Sequence, residues 1–92
     1  MNADTNLSAS VRITDGYRLQ WEKAQDCHVL LYPEGMIKMN GSAGEIMSRV
    51  KDDSTMQSII EELKSTFPDA DLEQDVIKFL EEARDNGWIQ LG

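Results

Sequence analysis

His28-Val-Leu-Leu-Tyr-Pro-Glu-Gly-Met-Ile-Lys-Met-Asn40 reads as a hairpin that runs directly into a helix. Tyr32-Pro33-Glu34-Gly35 is the turn. Proline suits its second position because its φ is preset, and glycine suits its fourth. An apolar β-like run precedes the turn, and the shorter run Met36 to Met39 follows it. Asn40 has the side-chain oxygen to cap a first helical turn. Nothing in this stretch forms a nucleophile–base pair or a metal-ligand set. The strand Met36 to Met39 is expected at a sheet edge, where an open ladder can accept another peptide.

Working outward, Tyr17, Leu19 and Trp21 alternate with Arg18 and Gln20, the two-residue period of a strand. Cys27 to Tyr32 is apolar enough to be buried on both faces. After Asn40 the period changes. Ala43, Ile46, Met47 and Val50 fall at i, i+3, i+4 and i+7 and predict a short helix. Ser42 with Glu45 offers an alternative capping box for it. Ser54-x-x-Gln57 is a second such box, followed by the stripe Met56, Ile59, Ile60, Leu63 and Phe67. Pro68 ends that helix. Asp69 or Asp71 is expected to cap a third helix that buries Leu72, Val76, Phe79, Leu80 and Ala83. Gly87 is placed to stop it in the left-handed conformation. Trp88 to Leu91 is a final extended stretch. Residues 1–10 are polar and aperiodic, and are expected to be a disordered tail.

Strands and helices are grouped, so the class is α+β. A three-stranded antiparallel sheet followed by three helices resembles a winged helix-turn-helix. The usual task of that architecture is DNA binding, but the groove-reading helix here would carry Asp71, Glu73, Asp75, Glu81, Glu82 and Asp85 against Lys78 and Arg84. The chain has 92 residues and a net charge of −8. Residues 41–92 hold five Lys/Arg against twelve Asp/Glu. Phosphate backbones repel such a surface, so nucleic acid is not the expected partner.

A chain this long buries roughly 60–65% of its unfolded surface, enough for one modest core. One cysteine, Cys27, excludes an intrachain disulfide and suits a reducing compartment. No signal peptide and no membrane-length apolar run is visible, so a cytoplasmic protein is expected. Cys27 and His28 are neighbours in a strand, so their side chains point to opposite faces and do not share a site. The pairs Asp52-Asp53, Glu61-Glu62 and Glu81-Glu82 do not converge on a substrate, because adjacent helix positions diverge by about 100°. Gly41 and Gly44 form no phosphate-binding fingerprint. Met36 and Met39 fit either a core or an adaptable peptide-binding surface.

Gly16-Tyr-Arg-Leu-Gln-Trp21, His28 to Asn40, Ser42-Ala43 and Ile46 closely resemble the pyrroloquinoline quinone (PQQ) biosynthesis protein D family. The Pro68 break and Gly87-Trp88-Ile89 also fit. Asp52-Asp53 departs from the Asp-Gly common in relatives. The resemblance covers about residues 15–91 and implies a non-catalytic peptide chaperone without cofactor or metal. Residues 11–92 would be a single peptide-binding, winged-helix-like domain. Its partners would be the precursor peptide of PQQ, protein A of the pathway, and the radical S-adenosylmethionine enzyme, protein E. The peptide would add as a strand beside Met36, Ile37, Lys38 and Met39. It would rest on a helix face drawn from Asp75, Lys78, Phe79 and Glu82. Lys38 either pairs with an acidic peptide residue or guards the edge by its charge. No membrane partner is implied. The oligomeric expectation is a monomer, with the junction Met39-Asn40 as a hinge through which the hairpin could be exchanged into a swapped dimer.

Overall fold

The computed structural model describes residues 6–39 and 41–92. Its elements are β1 (Val11–Ile13), β2 (Arg18–Glu22), β3 (Cys27–Tyr32), β4 (Gly35–Met39), α1 (Ser42–Met47), α2 (Met56–Thr66), α3 (Glu73–Asp85) and β5 (Ile89–Leu91). β2, β3 and β4 form an antiparallel sheet in that order, so β4 and β2 are its edges. The expected α+β class holds, with the three strands ahead of the three helices. A second sheet, β1 with β5, joins the two ends of the chain through Val11↔Leu91, Arg12↔Gln90 and Ile13↔Ile89.

The turn at Pro33-Glu34 is closed by the pair Tyr32↔Gly35. The next turn, between β2 and β3, places Asp26 at φ 55, a left-handed conformation that Asp tolerates better than most residues. Leu30, Ile37 and Met39 lie on the inner face of the sheet, against α1, α2 and α3. Leu30, Met47, Ile59, Ile60 and Leu80 are at the centre of this core and have essentially no exposure.

The helix ends depart from expectation in instructive ways. The capping box of α2 is Thr55 with Ser58, not Ser54 with Gln57. Ser54 is buried instead, where its hydroxyl accepts from the Lys51 N–H at 2.8 Å and donates to the Arg49 carbonyl at 3.0 Å. Met56 and Gln57 donate to the carbonyls of Ala9 and Leu7. Thus residues 7 and 9 satisfy two first-turn donors that any helix leaves open. Leu7 and Ala9, within the expected tail, also pack on the core, and residues 1–5 lie outside the described residues.

α1 begins at Gly41, φ 56, with no side-chain cap, so the Ser42/Glu45 box does not form. The Asn40 cap lies outside the described residues. α1 is also shorter than its stripe, ending at Met47, because Arg49 and Val50 donate to the carbonyls of Ile46 and Met47 in tighter turns. α3 starts after Leu72 with neither Asp69 nor Asp71 capping it. Glu73 and Asp75 in its first turn supply the negative charge that a helix start favours. Gly87 takes φ +83, as expected. It donates to Arg84, and Trp88 donates to Ala83, which together close α3 and aim the chain into β5.

Candidate functional site

A two-residue loop can be closed only by a pair that exchanges both of its backbone hydrogen bonds, so Tyr32↔Gly35 is such a pair. Pairing then alternates along an antiparallel ladder. Ile37 bonds Leu30 and Met39 bonds His28, while Met36 and Lys38 stand in the non-bonded positions opposite Leu31 and Val29. The N–H and C=O groups of Met36 and Lys38 therefore face away from the sheet. β4 offers two donors and two acceptors to another strand.

The side chains of β4 divide by the same alternation. Ile37 packs partly on the core, and Met39 is 2% exposed within it. Met36 is 54% exposed and Lys38 is exposed, both on the outer face. Of the expected methionine pair, only Met36 has a side chain free for a ligand; Met39 contributes packing. Beneath Lys38 the outer face buries Val29, flanked in register by Gln20 and Lys38. Lys38 makes no ion pair among the described residues.

Where β4 ends, a groove of about 470 Å³ opens between α1, the end of α2 and α3. This lies within the size range of ligand pockets in general. Ile46, Leu63 and Val76 are its buried floor, and Phe67, Leu72 and Phe79 its partly exposed walls. Gly41 and Ser42, which follow β4, form the side nearest the sheet edge. Of the four expected helix residues, Asp75 and Phe79 line this groove. Lys78 and Glu82 are exposed on the same helix and do not line it. Phe79 is braced from behind by Trp88, ring centroids 6.4 Å apart.

Glu45 and Phe67 were not expected here. Glu45 is held by Arg49 at 2.9 Å, and Arg49 also donates to Thr66 on α2 at 3.1 Å. Phe67 continues the stripe of α2 in sequence, yet it caps that helix and is 38% exposed. The signal was present in the Phe-Pro pair, since the residue before proline leaves helical geometry.

Cys27 and His28 lie on opposite sheet faces. Cys27 is buried on the outer face, and His28 sits edge-on to Trp21 at 5.1 Å on the inner one. Among the described residues no group of His, Cys, Asp or Glu is arranged to hold a metal ion. No helix among them is long and apolar enough to cross a membrane.

Comparison with known proteins agrees over nearly the whole chain. The family model for coenzyme PQQ synthesis protein D (PqqD) matches residues 27–89. A PqqA binding protein of Azotobacter vinelandii is 47% identical over 90 residues, which is 97% of this chain and 98% of that protein. One from Pseudomonas aeruginosa strain PAO1 is 48% identical over 87 residues, 94% of this chain and 95% of that protein. One from Rahnella aquatilis is 49% identical over 75 residues, 80% of this chain and 79% of that protein. No solved structure matches the chain at a significant level. The matched span runs from β3 through the edge strand and the three helices to β5, and the chain belongs to the coenzyme PQQ synthesis protein D family.

Proposed function

We propose that this chain binds PqqA, the precursor peptide of PQQ, as a strand added to the free edge of β4. It then presents the peptide to the radical S-adenosylmethionine enzyme of the pathway. The observation that carries this reading is the outward-facing backbone of Met36 and Lys38, set beside an apolar groove. Main-chain bonds along such an edge supply affinity, and neighbouring pockets supply specificity. The edge of β2 is open too, but the groove adjoins β4. The names of the relatives support PqqA as the cargo.

A carrier must release what it holds. Micromolar to submicromolar affinity fits that task, roughly −8 to −9 kcal/mol. The chain acts in the cytoplasm as a monomer and has no turnover of its own. A DNA-reading role is opposed by the acidic surface of α3.

The test is a titration of the full chain with synthetic PqqA, read by fluorescence anisotropy, beside an incubation with PqqA and S-adenosylmethionine read by mass spectrometry. Saturable binding with unchanged peptide mass is expected. Absence of binding, or a peptide mass change without the enzyme, overturns the proposal.

A further inference from the structure

We propose that the groove beside β4 selects a lysine or arginine of the bound peptide, next to an apolar side chain that fills its floor. The inference rests on strand addition at β4 and names what the peptide must carry beyond that strand.

The first observation is continuity. Met39 ends β4, and Gly41 and Ser42 are already groove wall. A strand that runs along β4 and leaves at its Met39 end passes into the groove. The second observation is shape and polarity. The floor is Ile46, Leu63 and Val76, and the Phe67 and Phe79 rings stand beside it. Burying an apolar side chain there removes water from both surfaces, which favours an apolar residue over a polar one at the floor.

The third observation is charge. Among the described residues, the only charged ones lining the groove are Glu45 and Asp75. Glu45 is fixed in place by Arg49, yet its side chain is still 50% exposed. Asp75 is exposed and has no ion pair among the described residues. Glu45 is already charge-paired with Arg49, so Asp75 is the carboxylate that favours a cation and disfavours an acidic residue at the rim of this apolar site. A long Lys or Arg stem also lies well on apolar surface while its head reaches the rim.

Asp75 has another physical role, since a negative charge in the first turn of α3 favours that helix. The experiment must therefore read coupling to the peptide's charge and not stability. It is a double-mutant cycle between the full chain and synthetic PqqA peptides, by fluorescence anisotropy. Each Lys and Arg of the peptide is replaced singly by Gln.

One replacement is expected to weaken binding to the unaltered chain about three- to fivefold, the upper end for exposed ion pairs. The same replacement should cost less than about 1.5-fold against Asp75→Asn, because the partner is already gone. Asp75→Glu keeps the charge and should restore the loss. If every replacement acts alike on the unaltered and Asp75→Asn chains, the inference is overturned. The amide resonances of Met36 and Lys38 read strand addition separately. Shifts there without charge coupling sink this inference alone, and no shifts there in the unaltered chain sink both readings.

Discussion

Gly44 of α1 lies so close to Met39 of β4 that a β-carbon on it would stand 2.5 Å from the Met39 carbonyl oxygen. The obstacle is backbone, so no side-chain rotation relieves it. This contact seats α1 on the end of the edge strand and places Gly41, Ser42 and Glu45 along the groove. Gly44→Ala gains up to about 1 kcal/mol in helix propensity. It loses about 1–3 kcal/mol to overpacking. A net loss is expected, seen as a lower urea midpoint, with weaker PqqA binding as α1 and β4 move apart. A neutral or more stable variant would show that the approach is not tight.

The two central residues of β4 should respond to proline in opposite ways. Lys38→Pro removes an outward N–H, and proline is tolerated on the solvent side of an edge strand. It should keep the fold and lower PqqA affinity by at least about tenfold, or 1.4 kcal/mol. Ile37→Pro removes the N–H that bonds Leu30, so it should unravel the hairpin itself. Circular dichroism with a binding titration separates the two. Lys38→Glu changes only an exposed charge and should cost about 0–1 kcal/mol of binding.

Much of this arrangement can be read from residues alone. Pro33 and Gly35 announce the hairpin, the Met56 to Leu63 stripe announces α2, and Gly87 stops α3. Other parts cannot be read locally. Val11-Arg12-Ile13 is too short to show a strand period, and its partner Ile89-Gln90-Leu91 is at the far end of the chain. Ser54 and Thr55 are both good cap types. Which one caps depends on burial, and the buried Ser54 serves the preceding loop instead. Met36 and Met39 look alike in sequence, but the turn sets their parity, and parity puts one in water and the other in the core. Asp75 and Phe79 share the groove because α3 packs at a particular rotation that periodicity narrows without fixing.

The shifted cap has a measurable consequence. Thr55→Ala should lower stability by about 1 kcal/mol. Ser54→Ala strips a partner from the part-buried Lys51 N–H and Arg49 carbonyl and should cost about 1–2 kcal/mol. Gln57→Ala, at the position of the box expected from sequence, should be nearly neutral. Chemical denaturation of the three variants tests the order. A larger loss at Gln57 than at Thr55 would contradict the assignment.

Cys27 and His28 should be dispensable for binding. Cys27→Ser and His28→Gln are each expected to leave PqqA affinity within about threefold, under 1 kcal/mol. Cys27→Ser should still lower stability, since it buries a hydroxyl in place of a thiol. Loss of binding in both folded variants would place a joint site where strand geometry forbids one.

The most direct measurement is an amide-shift and hydrogen-exchange map of the full chain titrated with synthetic PqqA. Strand addition at β4 predicts that Met36 and Lys38 shift strongly and become protected from exchange. Residues 72–79 of α3 should shift with them, and Ile37, already bonded to Leu30, should change less in protection. Shifts confined to β2 or to residues 6–13, with 36–39 and 72–85 unmoved, would contradict the placement.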